Sequence, residues 1–168
     1  MALTFTVEDG TGLAAANSYL SVNDLKDYWT LRGVALADTY SDTVLQVALV
    51  KATDYVERRF LKWRGQRYST TQALSWPRVY AYDSDGNLQS GVPVYMQNAI
   101  AEYAYRALTT VLMPDPTADT SGLQVTHTKI GPIEQDFQPG AVKVLKDYPA
   151  ADRLLDKIIN QGGGVIRA

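Results

Sequence analysis

The chain has 168 residues, 46% hydrophobic and 20% charged, with 16 Lys and Arg against 18 Asp and Glu. A net charge of −2 and a pI near 5.3 argue against a protein that coats nucleic acid over its whole surface, and leave room for a local basic patch. Zero cysteines exclude disulfides, thiolate zinc sites and cysteine nucleophiles.

This length suits one domain, residues 1–168, that removes roughly 68 to 70% of its unfolded surface from water. Leu3, Phe5 and Val7 alternate with threonines in a short strand-like opening that ends in a turn at Asp9, Gly10 and Gly12. The first ten residues lack a basic region followed by an apolar core, so no targeting segment is expected there. Ser21 with Asp24 has the spacing of a capping box, flanked by Leu20 and Leu25 as a hydrophobic staple. The helix that follows buries Leu25, Tyr28 and Trp29 and stops at Gly33, and residues 34–40 form a short link.

Residues 41–64 predict a long helix. Leu45, Ala48, Leu49, Ala52, Tyr55, Val56, Phe60 and Trp63 recur at three- and four-residue steps, with Gln46, Lys51, Asp54, Glu57, Arg58 and Lys62 between them. Ser41 is placed to cap it, Asp42 sits against its positive end, and Gly65 offers a stop. Pro77 then biases Trp76 towards an extended backbone, where it plugs one end of the core. Asp85-Gly86-Asn87 reads as a turn or hairpin tip. Pro93 suits a first helical turn, and Met96, Ala99, Ile100, Tyr103, Ala107, Val111 and Leu112 make a second apolar stripe, with Glu102 and Arg106 paired on the other face. Residues 113–116 close that helix. Val125 to Phe137 suits a small hairpin or extended arm around Gly131-Pro132. A last helix starts near Pro149, buries Ala151, Leu154, Leu155 and Ile158, and ends at Gly162 to Gly164, ahead of the tail Val165, Ile166, Arg167 and Ala168.

Little in this pattern carries reaction chemistry. His127 is the only histidine, and no phosphate-cradling loop, nucleophile elbow or zinc helix motif is present. No catalytic residue, cofactor site or metal site is expected. Asp83-Ser84-Asp85-Gly86-Asn87 offers oxygens at alternate positions, but Gly86 is fourth rather than sixth and Val94 stands where a calcium loop needs glutamate. The basic stretch is more informative. Arg58, Arg59, Lys62, Arg64 and Arg67 are interleaved with Phe60, Trp63 and Tyr68, the residue types that contact phosphates and unstacked bases. The competing reading makes them a solvated helix face, because Phe60 and Trp63 already lie on the buried stripe. No uncharged apolar run reaches the ~18 residues of a membrane span, so no membrane contact is expected.

Several stretches together resemble a tailed-phage protein family. They are residues 16–22 (ANSYLSV), 52–56 (ATDYV), 63–65 (WRG), 72–78 (QALSWPR), 92–93 leading into 97–102 (QNAIAE), 129–134 (KIGPIE) and 148–152 (YPAAD). That family is labelled a DnaT-like single-stranded DNA-binding protein, and it is similar to the head-tail connector, or adaptor, proteins of phage virions. The resemblance covers about residues 16 to 159. It implies a mainly α fold: a bundle of about four helices (21–32, 41–64, 93–113 and 149–161), a hairpin arm at about 124–138 and a flexible C-terminal segment, with the bundle at about 16–113 and the last helix and tail at 147–168.

The function it implies is a structural one, a connector ring under the portal that extends the DNA channel and docks the tail or next connector. The implied partners are identical subunits in a dodecameric ring, the portal protein, a tail-proximal protein and the packaged duplex, in the host cytoplasm during assembly and in the virion afterwards. Inter-subunit candidates are the exposed side of the 41–64 helix, set against the arm residues Lys129, Ile130, Gly131, Pro132, Ile133 and Phe137, and Arg58, Arg59, Lys62, Arg64 and Arg67 are candidates either for facing DNA or for that subunit contact. Portal-docking candidates are Leu154, Leu155, Ile158, Val165, Ile166 and Arg167. The alternative is a replication accessory protein that binds single strands through the basic, aromatic stretch. An acidic chain whose aromatics serve helix stripes favours the connector.

Overall fold

The computed structural model describes residues 4–113, 127–130, 133–136 and 148–160. In chain order the elements are α1 (Val22–Thr30), α2 (Leu36–Thr39), α3 (Asp42–Arg59), β1 (Gln66–Arg67), β2 (Arg78–Val79), β3 (Ala81–Tyr82), β4 (Leu88–Gln89), α4 (Val94–Ala107), β5 (His127–Ile130), β6 (Ile133–Asp136) and α5 (Pro149–Leu155). The strands pair as three separate antiparallel ladders, β1 with β2, β3 with β4 and β5 with β6. This is a small mixed α/β fold, and it corrects the expected mainly α, four-helix bundle. The chain divides into two compact units: Met1–Leu112 together with Tyr148–Ala168, and Met113–Asp147.

In the first unit α1 starts as its sequence requires. Ser21 Oγ accepts the Asp24 backbone N–H at 3.1 Å and donates to the Asp24 carboxylate at 2.6 Å, and the helix buries Val22, Leu25 and Trp29. Trp29 Nε1 donates to the Ala101 carbonyl at 3.0 Å, which ties α1 to α4. The link after α1 contains the one-turn helix α2, which buries Leu36. Helix α3 buries Leu45, Ala48, Leu49, Ala52, Tyr55 and Val56, the expected stripe. Ser41 occupies the cap position without a side-chain cap bond, while Asp42 pairs with Lys26 at 2.6 Å.

The expected helix over 41–64 ends early, at Arg59, and the reason is tertiary. Arg64 N–H donates to the Ile158 carbonyl at 3.2 Å and Asn160 N–H donates to the Lys62 carbonyl at 2.7 Å, so residues 62–64 pair with 158–160 instead of continuing the helical ladder. Trp63 still reaches the core, from an isolated bridge to Ile159. Trp76 is fully buried and stands edge-on to Trp63, with ring centroids 6.5 Å apart.

Between Phe60 and Pro93 lies the segment that makes the fold mixed rather than a bundle. Short ladders and side-chain bonds satisfy its backbone there. A half-buried knot of polar groups holds it to α3: Glu57 accepts from Ser75 N–H at 3.1 Å, from Ser75 Oγ at 2.7 Å and from Tyr19 Oη, whose oxygen in turn accepts Trp76 N–H at 3.0 Å. Burial, and then the charge of Glu57, hold the Tyr19 phenol well above its ordinary range.

Helix α4 buries Met96, Ala99, Ile100, Tyr103 and Ala107. It stops before the expected residue 113, with Leu108 as its C-cap, and Thr110 Oγ1 folds back onto the Arg106 carbonyl at 2.9 Å. Leu112 is buried but Val111 is 70% exposed, against its place on the expected stripe. Arg106 and Glu102 pair at 2.7 Å. Helix α5 is shorter than the expected 149–161 segment and docks through Asp152, which takes Arg59 at 2.8 Å and the Tyr103 hydroxyl. In the second unit, β5 and β6 pair Ile130 with Ile133 and Lys129 with Glu134, inside the span expected for a hairpin.

Candidate functional site

The five cations of the basic stretch do not share one surface. Arg59 turns inward to Asp152 and to the Tyr55 hydroxyl. Arg58 is exposed and lies 3.4 Å from Asp54 on the solvent side of α3. Lys62 is exposed beside a groove of about 280 Å³ lined by Arg59, Phe60, Leu61, Lys62, Ile159 and Asn160.

Arg67 comes together with an arginine that the sequence reading left out, Arg78, and Arg64 meets Arg78 through its backbone carbonyl. Ladder β1–β2 sets Arg67 directly opposite Arg78. Like charges in that register repel, and the fold holds them by fixing each guanidinium on backbone carbonyls. Arg78 donates from Nε to Arg64 O at 2.7 Å, from Nη1 to Ser75 O at 3.1 Å and from Nη2 to Gly65 O at 2.7 Å. Arg64 donates from Nε to Ile159 O at 3.1 Å, with a longer contact from Nη1 to Asp83 O at 3.4 Å. Arg67 uses Nη2 alone, to Gln72 O at 2.7 Å and Leu74 O at 3.0 Å.

Carbonyls fix an arginine without cancelling its charge, because they carry only a partial dipole. Among the described residues no carboxylate forms an ion pair with Arg64, Arg67 or Arg78. Burial, and then the charge of Arg67, push the Arg78 guanidinium down from its ordinary value, against the pull of Tyr19 and Glu57. It remains charged at neutral pH. The Nε and Nη1 groups of Arg67, an exposed residue, have no protein partner among the described residues.

The aromatic half of the basic stretch also rearranges. Trp63 is in the core and offers no free face, and Phe60 is half-buried against the core and lines the groove beside Lys62. Tyr68, by contrast, is exposed, and its N–H donates to the Pro77 carbonyl at 3.2 Å, next to Arg78. Tyr80 and Tyr82 are exposed as well. No helical or strand periodicity singles these out; the only signal in the sequence was the density of tyrosines over residues 68–82.

The remaining candidates are placed as follows. Leu155 and Ile158 are buried in the core of their own unit and Leu154 packs against it. Lys129, Ile130 and Ile133 lie in the β5–β6 ladder. Gly131, Pro132, Phe137, Val165, Ile166 and Arg167 fall outside the described residues. The calcium-like loop is a closed turn: Asp83 is buried, and its carboxylate accepts Asp85 N–H, Asn87 N–H, the Asn87 amide and the Gln89 amide. Those donors, led by the Asn87 backbone, hold the Asp83 carboxyl below its ordinary value and occupy the oxygens a cation would need. Among the described residues no group of three or more His, Cys, Asp or Glu could hold a metal ion, and no helix is long and apolar enough to cross a membrane.

Fold and site together define a small mixed α/β domain that carries backbone-anchored arginines, without carboxylate partners among the described residues, in the same segment as exposed tyrosines. The chain belongs to the family described as "Putative DnaT-like ssDNA binding protein", whose model matches residues 3–168. No curated protein and no solved structure matches it.

Proposed function

We propose that this chain acts by binding rather than catalysis, and that it contacts unpaired DNA through Arg64, Arg67 and Arg78 with Tyr68 beside them. The observation that carries the reading is Arg67, held by Nη2 on two carbonyls with the rest of its donor fork unengaged among the described residues. A guanidinium fixed in this way loses little freedom when a phosphate arrives, and it has no local carboxylate to leave. The family description supports the same reading. A net acidic chain is compatible with it, because contact is confined to one local patch.

Fluorescence anisotropy of a labelled oligothymidine across a salt series tests this. Three phosphate contacts correspond to a slope of log affinity against log salt of about −2. Arg67→Gln removes the charge and keeps a polar side chain, and it reduces that slope by about 0.7. No binding at about 50 mM salt, or a folded Arg67→Gln variant with the wild-type slope, refutes the reading.

A second reading, the phage head-tail connector, draws on a different surface. Val44 and Val47, one turn apart on α3, are 44% and 49% exposed, on the outer side of the helix that the sequence reading offered as a ring contact. Self-association by head-to-tail contacts that close on themselves would cover such a face. Mass measurement of the purified chain, alone and mixed with portal protein, tests it. A monomer that ignores portal protein refutes the connector role and leaves the strand-binding role untouched.

A further inference from the structure

Tyr80 has a backbone that its residue type does not favour. It is the one non-glycine residue with positive φ among the described residues, at +52°, a region where a Cβ crowds the following carbonyl. The residue is 74% exposed. Among the described residues the side chain makes no hydrogen bond, ring contact or cation contact. An asparagine or glycine at this position would hold the turn more easily and lose nothing in packing.

The surrounding structure imposes the conformation. On one side Val79 pairs with Gln66 in ladder β1–β2, and on the other Ala81 pairs with Gln89 in ladder β3–β4. Tyr80 is therefore the single residue joining two ladders. Gly65 lies directly against this joint: a Cβ there would stand 2.5 Å from Val79 O and 2.8 Å from Ala81 Cα. The carbonyl of the same Gly65 accepts Arg78 Nη2 at 2.7 Å. One short piece of backbone thus positions both the arginine and the outward tyrosine.

We infer that Tyr80 is a stacking platform for one unpaired base, presented on left-handed backbone next to the arginines that take the adjacent phosphates. This deepens the strand-binding reading and rests on it. Backbone strain at an exposed residue that does no work in the fold points to contact with something outside the subunit. An exposed aromatic ring two residues from the fixed Arg78 matches a single strand, whose bases offer π-faces and whose backbone offers phosphates. A neighbouring protein surface is the other occupant, and the test separates the two.

The experiment compares wild type, Tyr80→Gly and Tyr80→Phe for thermal midpoint, salt slope and affinity, using oligothymidine carrying one 2-aminopurine as the probe. Tyr80→Gly is expected to melt at or above the wild-type midpoint, keep the wild-type salt slope, bind about five-fold or more weakly, and lose the quenching of 2-aminopurine. Tyr80→Phe retains affinity and quenching, because the ring rather than the hydroxyl makes the contact. If Tyr80→Gly binds and quenches like wild type, the platform is refuted while strand binding stands. Wild type that binds no oligonucleotide at low salt removes the strand-binding reading itself. Loss of self-association in Tyr80→Gly with unchanged oligonucleotide binding assigns the ring to a protein contact and overturns the inference.

Discussion

Replacing Gly65 with alanine should be among the most costly single-methyl changes in the described part of the chain, and its cost can be separated into two causes. Gly65 has φ +73°. Alanine there incurs the left-handed penalty of about 1–2 kcal/mol, partly offset by about 0.4–1 kcal/mol from a less flexible unfolded chain. The new methyl also meets Val79 O at 2.5 Å and Ala81 Cα and Cβ at 2.8 Å. Both partners are ladder residues that cannot rotate away, so forced overpacking adds about 1–3 kcal/mol. Gly33 provides the control. Its φ is +78°, almost the same, and nothing lies within 4 Å of a Cβ built there. Gly33→Ala therefore carries the backbone term alone. Urea denaturation of the two variants, with m unchanged, should place Gly65→Ala about 1–3 kcal/mol below Gly33→Ala. Equal losses would refute the close approach of residues 79–81 to Gly65, and with it the account of how Tyr80 is held.

Two helix starts that look alike in sequence should respond differently. Ser21→Ala loses a cap that is made and should cost about 0.5–2 kcal/mol, whereas Ser41→Ala removes a hydroxyl that caps nothing and should be near neutral by the same denaturation assay. Alkaline pH should destabilise the fold in a defined window. Burial, and then the hydrogen bond to Glu102, push the Tyr28 phenol up from 10.0 to about 12, and burial raises Tyr19, Tyr55 and Tyr103 as well. Below pH 10 both states keep these protons and the stability is fully present. Above it the unfolded chain binds fewer protons than the folded one, so stability falls with rising pH and the Tyr28 contribution is lost by about 12. A denaturation midpoint that stays flat from about pH 10 to 12 would contradict this.

The apolar stripe of α3 and the 96–107 stretch of α4 were legible because a helix repeats its buried face every three or four residues. The Ser21 cap and the Glu102–Arg106 pair were legible because both depend on spacing within one helix. Phe60 and Trp63 misled for the same reason: they continue the helical spacing beyond Arg59, while the backbone around Trp63 pairs with residues 158–160. The basic stretch was visible as a composition, but composition could not say that Arg59 turns to Asp152 or that Arg78 completes the set with Arg64 and Arg67. Exposed Tyr80 belongs to no helical or strand period and showed only in the density of tyrosines over residues 68–82.

What the sequence by itself determined is the set of helical faces that must be buried, since each is written in the period of one element. Tertiary structure alone decided where α3 stops, that residues 60–92 form short ladders in place of bundle packing, and which arginines share a surface. Hydrogen bonds and charge contacts between residues far apart in the chain made those decisions, and no local periodicity records them.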